Sequence, residues 1–380
     1  MIRINVKPEL LLWARERANM SVDTLVRRFP KYQEWESGDV QPTLKQLEKF
    51  AKTTHAAVGY FFLSEPPDEP LPIPDFRTIG GELPRKPSPD LLDTLYLCQQ
   101  RQDWYQDFAR IEGEDRLSFV GSAALSENIE SVATRIRSTL GLDLEERRIL
   151  STWTDALRRF IEVADALGVL VMVSGIVGSN THRRLDPDEF RGFALVDDLA
   201  PLVFINGADT KAAQMFTLAH ELAHLWLGES ALSDTEPVSV PAHDVEAWCN
   251  RVAAELLVPL DAVRGEYREK EPLQDALSRL ARRFKVSTLV VLRRIYDAGG
   301  LTRNQFRRAY DEEMERLRSI PVRSGGNFYL TQPVRTGQRF TRAVVSSTLE
   351  GHTLYRDALH LLSFSKVETF HKLAANLELR

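Results

Sequence analysis

Cysteine is scarce in this chain, since only Cys98 and Cys249 occur among its 380 residues. Two thiols offer no disulfide framework and are typical of proteins in a reducing compartment. No apolar run approaches the ~18 residues that a membrane-spanning helix needs. The N terminus carries acidic residues and lacks the cleavage site of a signal peptide. These absences predict a cytoplasmic protein with no membrane partner.

The formal net charge of -5 is unevenly distributed. Residues 185–262 hold 14 acidic and 3 basic side chains, whereas residues 279–308 hold 9 basic and 1 acidic. We therefore expect the first region to repel nucleic acid and the second to attract polyanions. The length and the hydrophobic fraction of 43% suit two or three soluble domains with real cores.

The sequence HELAH at residues 220–224 lies within an apolar segment that runs from Phe216 to Gly228. On a helix, His220 and His224 lie one turn apart on one face, where both can ligate one tetrahedral metal ion. Glu221 beside them can take the proton of a water on that metal. The alternative is a buried helix whose histidines are satisfied by hydrogen bonds alone. The apolar surroundings favour the metal site, because buried ionisable groups need compensation.

A third ligand is expected from the next helical pattern, EAWCNRVAAELLVP at residues 246–259, which a proline ends. Glu246 and Asn250 lie one turn apart, so Glu246 can reach the metal while Asn250 bonds the outer nitrogen of a ligating histidine. His243 and Cys249 are alternative ligands, but a small buried core residue is the better interpretation of Cys249. Glu255 points away from Glu246 and is interpreted as a paired or surface carboxylate.

These two segments, FTLAHELAHLWLG and EAWCNRVAAELLVP, resemble the ImmA/IrrE-type metallopeptidase family over residues 150–265. The resemblance implies Zn²⁺ as cofactor, with His220 and His224 as the first two ligands and Glu246 as the third. It also implies that Glu221 is the general base. A zinc-dependent endopeptidase of this type takes a protein substrate, here a repressor or toxin-type regulator.

The sequence departs from the family at two positions, with Cys249 where alanine is usual and Val252 where an aromatic residue is usual. Both changes affect packing more than chemistry. The group that stabilises the oxyanion is not identified by position. Tyr267 and His182 are candidates by residue type alone.

The N-terminal 8–63 segment has helical periodicity, with Ser21 and Thr43 as expected N-caps. Its sequence WESG at residues 35–38, followed by Pro42, resembles the Xre/Cro-type helix-turn-helix family. The segment from Leu25 to Trp35 is four residues shorter than the corresponding segment in that family, and Pro30 interrupts it. The recognition helix is therefore expected to be short or broken. Sequence-specific DNA binding and a module for protein contact or dimerisation both remain open.

The proline-rich stretch from Ser64 to Arg77 is predicted to be an extended linker, and its sequence PIPDFR is similar to that of Xre-fused members of the family.

An amphipathic helix is expected from Asp90 onward, with an apolar stripe that forms core or a dimer seam. Further helices are expected around residues 127–140 and 151–166. Strands are expected at three β-rich runs, residues 168–174, 192–196 and 201–206. An exposed edge would let an extended peptide add as a strand, and residues 193–196 are the first choice for that edge.

After the metal motif, residues 280–295 have helix-turn-helix spacing, with Ser287 as N-cap of the second helix. This segment is either a packing module or a polyanion surface. If the chain binds DNA, its concentrated charge predicts a larger contribution from Arg282, Arg283, Arg293 and Arg294 than from Arg27, Arg28 and Lys31. A short strand is expected at residues 328–331, followed by terminal helices.

The predicted fold class is α+β and mostly helical, with a zincin-like peptidase domain around a small sheet. The predicted domains are a helix-turn-helix-like module (1–63), a linker and helical connector (64–150), the metallopeptidase domain (151–265), a basic helical segment (266–320) and a C-terminal region (321–380). The predicted function is zinc-dependent cleavage of a regulatory protein, coupled to transcriptional regulation or to a stress, mobile-element or toxin-antitoxin circuit. The alternative is a DNA-binding repressor or antitoxin-like regulator with a structural or vestigial zinc. DNA and a second copy of the chain are further candidate partners.

Overall fold

The computed structural model of the protein describes residues 3–76, 86–233, 243–318 and 335–378. The chain divides into two compact units. Unit 1 comprises residues 1–72 and 84–95, and unit 2 comprises residues 73–83 and 96–380. The chain thus passes from unit 1 to unit 2 within the proline-rich stretch that reads as a linker.

Unit 1 is helical in its described residues. Its elements are α1 (Pro8–Arg17), α2 (Val22–Arg28), α3 (Tyr32–Glu36), α4 (Leu44–Thr53), a 3₁₀ helix (Val58–Phe62) and the first turns of α5 (Pro89–Glu112). The expected caps are confirmed, since the Ser21 side chain accepts from the amide of Thr24, and Thr43 forms a capping box with Gln46. Aromatic side chains of α3 and α4 build the core, where Tyr32 stacks on Phe50.

Helix α3 has only five residues. A short helix here is what the sequence predicts from the shortened segment before Trp35 and from Pro30. Pro30 stands two residues before it and lacks the amide proton that a continuous helix would use. Trp35 is nevertheless fully buried and serves the core. The segment that resembles a recognition helix therefore lacks the length of a helix that crosses a major groove.

In its described residues, unit 2 combines helices with one small sheet. Its helices after α5 are α6 (Ile129–Leu140), α7 (Leu144–Ile149), α8 (Trp153–Leu167), α9 (Lys211–Leu227), α10 (Asp244–Leu257), α11 (Leu260–Glu266), α12 (Leu273–Phe284), α13 (Thr288–Asp297), α14 (Arg303–Arg318), α15 (Gln338–Leu349), α16 (Tyr355–Leu361) and α17 (Val367–Asn376). Its strands are β1 (Leu170–Ser174), β2 (Gly192–Leu195), β3 (Leu202–Asn206) and β4 (Ala231–Ser233). The predicted α+β, mostly helical class is confirmed, and so are the three predicted strands.

The four strands lie in the order β1-β3-β2-β4. Strand β1 runs parallel to β3, while β2 runs antiparallel to both β3 and β4. The prediction that residues 193–196 form the sheet edge was wrong. Strand β4, which immediately follows the metal-motif helix, pairs with β2, so that Phe193 lies between Phe204 and Leu232.

Helix α9 carries the HELAH motif across the sheet. Thr210 caps its N terminus by accepting from the amide of Ala213, and Gly228 ends it in the left-handed conformation with φ of 81°. A glycine adopts this backbone without the steric cost that a Cβ imposes. From Gln214 to Trp226 every residue of α9 is buried, because the helix packs on β2, β3 and α10.

The helix pair α12 and α13 also forms as predicted, with Ser287 accepting from the amide of Val290 as N-cap. Several of its arginines, however, form ion pairs within the fold. Arg283 pairs with Glu145 and Glu266, and Arg293 pairs with Asp297. Arg294 is buried against Glu255. These pairs neutralise much of the positive charge on which the expected polyanion attraction depends.

Membrane-spanning helices were not expected from the sequence. Among the described helices, none combines the length and apolar character needed to span a bilayer. The strand predicted at residues 328–331 lies outside the described residues.

Candidate metal centre

Helices α9 and α10 bring three ionisable side chains together in the interior of unit 2. His220 and His224 project from one face of α9, and Glu246 projects from the first turn of α10. The two imidazole Nε2 atoms are 3.1 Å apart, and the Glu246 oxygens lie 3.2 Å from His220 Nε2 and 3.0 Å from His224 Nε2. All three residues are buried. Among the described residues, they are the group whose donor atoms could hold a metal ion.

The geometry of these three groups fits a tetrahedral metal ion. Ligand bonds of ~2.0–2.1 Å from imidazole and carboxylate to zinc place neighbouring ligand atoms about 3.3 Å apart. The observed separations of 3.0–3.2 Å between the ligand atoms are close to that distance. Three protein ligands would leave a fourth position open, as catalytic rather than structural zinc sites do.

Two polar side chains support this cluster. His220 Nδ1 lies 3.0 Å from Asn250 Oδ1, so the proton on Nδ1 can be donated to Asn250 while Nε2 remains available to a metal. On the other side, Ser233 Oγ at the end of β4 lies 3.4 Å from both His224 Nε2 and Glu246 Oε1. Asn250 is therefore placed as the sequence led us to expect, and the sheet contributes Ser233.

Glu221 lies beside the cluster and is fully buried. Its two carboxylate oxygens make no hydrogen bond within the described part of the chain. Burial, followed by the charge of Glu246, raises the pKa of Glu221 well above the ordinary value. A buried carboxyl group that makes no hydrogen bond to its neighbours is available to take up and return a proton.

The space for Glu221 depends on Gly192 of β2. A Cβ atom at residue 192 would lie 3.1 Å from Glu221 Oε1, 2.6 Å from Thr217 Cγ2 and 2.8 Å from the carbonyl oxygen of Phe204. Thr217 is one helical turn before Glu221 on the same face of α9. The bare backbone of Gly192 thus lets α9 lie close to the sheet at the point where Glu221 is held.

The pKa of Glu246 shifts in the opposite direction from the pKa of Glu221. Burial alone would raise the pKa of Glu246, but the two imidazoles that it contacts lower it below the ordinary value. Burial lowers the pKa of His224, which favours the neutral imidazole that a metal requires. The pair of carboxyl groups therefore divides into an ionised ligand and a group suited to exchanging a proton.

The alternative ligands lie elsewhere. His243 is exposed at the N-cap of α10, where its ring packs against Phe76 at 5.0 Å. Cys249 is a fully buried core residue whose thiol has a pKa raised by burial. Glu255 pairs with Arg294, which confirms its interpretation as a paired carboxylate.

The two oxyanion candidates are also located. His182 lies in an exposed turn, and Tyr267 packs near Gly300 and Ile295. Neither position supports a role at the cluster, so no oxyanion residue is assigned.

Sequence patterns did not reveal Ser233 and Gly192. Both belong to strands that meet the cluster only in the folded chain. A possible signal for Gly192 was a glycine at the start of a β-rich run, which often marks close approach of another element.

Comparison with known families agrees with this geometry. The sequence model of the peptidase M78 family, described as IrrE N-terminal-like domain, matches residues 164–296. A domain of unknown function (DUF8813) matches residues 336–376. No curated protein matches the chain. The first match covers α9, α10 and the sheet, and it supports an ImmA/IrrE-type domain of peptidase character in unit 2.

Proposed function

We propose that this protein is a zinc-dependent endopeptidase that cleaves a regulatory protein. One observation carries the proposal: three buried ligand groups lie at tetrahedral spacing, and a buried carboxyl group without hydrogen bonds lies next to them. A structural site would need the ligands but not Glu221. The match to a peptidase family over the same residues supports the assignment.

In this proposal His220, His224 and Glu246 hold the ion, and Asn250 fixes the orientation of the His220 ring. Bound Zn²⁺ would act as a Lewis acid and lower the pKa of a water in the open position toward 7. Glu221 accepts the proton of the attacking water and then donates it to the amine that leaves the cleaved bond. The raised pKa of the buried Glu221 carboxyl group favours its uptake of a proton.

Cleavage of a peptide mixture tests the proposal. The full-length chain is incubated with a defined library of unfolded peptides, and new termini are identified by mass spectrometry. We expect cleavage that a chelator abolishes and that one equivalent of Zn²⁺ restores. Restoration by zinc in the wild-type chain but not in Glu221→Gln would support the mechanism, while equal cleavage by both chains would contradict it.

A second candidate function, nucleic-acid binding by unit 1, is favoured by one feature. Four basic side chains and no acidic one line a pocket of about 420 Å³ in this unit. The residues that line it are Arg28, Phe29, Pro30, Lys31, Trp35, Thr43, Lys45, Gln46 and Lys49. Cationic side chains around a concave surface attract phosphates. Reversing Lys31 and Lys45 to glutamate should weaken binding of a DNA duplex and reduce its salt dependence, measured by fluorescence anisotropy. Unchanged affinity would leave protein contact as the role of this unit.

A further inference from the structure

A short segment of the chain itself pairs with the free side of β4. The amide of Leu232 donates to the carbonyl oxygen of Pro74 at 3.0 Å, and the amide of Phe76 donates to the carbonyl oxygen of Leu232 at 3.1 Å. Asp75 thus lies opposite Leu232 in a parallel bridge. Residues 73–76, which we name the strap, belong to unit 2 together with β4.

The strap lies beside the candidate metal centre. Leu232, which forms both hydrogen bonds to it, directly precedes Ser233, whose hydroxyl lies 3.4 Å from His224 and from Glu246. On the opposite side, the Phe76 ring packs on His243, three residues before Glu246. The strap therefore occupies the space between the edge of the sheet and the start of α10.

An edge strand offers unpaired backbone groups to which an extended peptide can add. Of the two outer strands, β4 is the one with a side chain in the ligand cluster. A peptide that pairs with β4 would run past the ligands, as a peptidase substrate must. In this structure that position is filled by the strap.

We propose that residues 73–76 are an internal occupant of the peptide-binding edge, which must leave β4 before a substrate can pair there. This inference rests on the proposed peptidase function. If that function is correct, a strap on β4 lowers the peptidase activity by excluding the substrate. Residue 73 of the strap directly follows residue 72, where the first segment of unit 1 ends.

The composition of the strap limits how strongly it is held. Pro74 within the strap and Pro72 just before it favour extended backbone but cannot donate hydrogen bonds. Pairing with Leu232 uses two backbone hydrogen bonds, and the Phe76 ring adds a contact with His243. Its covalent attachment supplies an effective concentration in the mM range, which lets weak pairing exclude an external peptide. A substrate would have to displace it.

The proposal is tested with a labelled peptide of the sequence of residues 69–76, amidated at its C terminus. Phe76→Pro in the full chain removes both the amide donor to Leu232 and the ring on His243, so it should release the edge. Phe76→Ala removes the ring but keeps the donor, which serves as the milder variant. Phe62→Ala is the matched control, because Phe62 is 57% exposed and lies in unit 1.

Fluorescence anisotropy should show at least tenfold tighter binding of this peptide to Phe76→Pro than to the wild-type chain or to Phe62→Ala, with Phe76→Ala in between. Faster hydrogen exchange of the Leu232 amide in Phe76→Pro should accompany it. Equal binding to the wild-type and Phe76→Pro chains, or unchanged exchange at Leu232, would overturn the proposal.

Cleavage of the peptide library separates this inference from the proposed function. Tight peptide binding together with cleavage raised about tenfold in Phe76→Pro supports both. Tight binding without cleavage by any chain supports the occupied edge but contradicts the peptidase assignment. Cleavage that is equal in Phe76→Pro and wild type, without tighter peptide binding, supports the peptidase and overturns the strap.

Discussion

The fit of helix α9 on strand β2 gives a sharp prediction for Gly192→Ala. The new methyl carbon would lie 2.6 Å from Thr217 Cγ2, about 1 Å inside the ~3.5–4.0 Å of an ordinary carbon contact. It would also lie 2.8 Å from the Phe204 carbonyl oxygen, which is backbone within a paired strand. The contact with Thr217 displaces α9, and Glu221 with it, away from β2, and the contact with Phe204 distorts the pairing of β2 with β3.

We expect overpacking of this kind to reduce stability by about 1–3 kcal/mol. With an unfolding entropy that scales with chain length, each kcal/mol lowers the Tm of a unit of this size by about 1–2 °C. A displacement of about 1 Å at a catalytic group can lower the rate about 100-fold. The metal ligands lie on the neighbouring face and in α10, so we expect zinc to be retained.

The assays are thermal unfolding, zinc content and cleavage of the peptide library, each compared with Gly265→Ala. Gly265 lies in α11 and has nothing within 4 Å of an added Cβ, so alanine there should be neutral or stabilising by up to about 1 kcal/mol. Wild-type activity and Tm in Gly192→Ala would refute the inferred contact between β2 and the Glu221 face of α9.

Three further predictions concern the metal and a half-buried carboxyl group. Glu246→Ala should weaken zinc binding in chelator competition by more than the ~10–100-fold expected for Asn250→Ala, while His243→Ala should leave it nearly unchanged; the reverse order would make His243 the ligand. Zinc at 100 times its Kd should stabilise the metal-free chain by about 2.7 kcal/mol, and a Tm that does not respond to zinc would show that no site forms in the folded state. Burial raises the pKa of Asp165 to about 6. Protonated Asp165 therefore contributes about 2–3 kcal/mol to the free energy of unfolding. This contribution is complete below the unfolded pKa of about 3.9 and is lost as pH rises through about 6. Asp165→Asn should flatten the fall in Tm between pH 4 and pH 7, and an unchanged slope would show that another group controls it.

Local sequence signals were sufficient where one element determines the outcome. The N-cap at Ser287 and the glycine stop at Gly228 were predictable, because capping depends on residues within one turn. The pairing of His220 with His224 was equally predictable from helical spacing. Glu246 required a second helix to pack on the first, and here the family resemblance supplied what spacing alone left open.

The edge of the sheet was not predictable in the same way. Strand β4 has only three residues and no β-branched side chain, so its formation depends on pairing with β2. Residues 193–196 alternate as an edge strand would, yet they are covered once β4 is present. Likewise Pro74 and Phe76 read as part of a linker, because their pairing with Leu232 joins segments more than 150 residues apart. Contacts of this length leave no periodic signal in the sequence.

The assignment of ligands and base is tested most directly by measuring the zinc content of two purified variants. If His220 binds the metal and Glu221 only moves protons, Glu221→Gln should retain about one zinc per chain while losing cleavage of the peptide library, and His220→Ala should lose the zinc. Loss of zinc from Glu221→Gln, or full zinc in His220→Ala, would contradict the proposed metal centre.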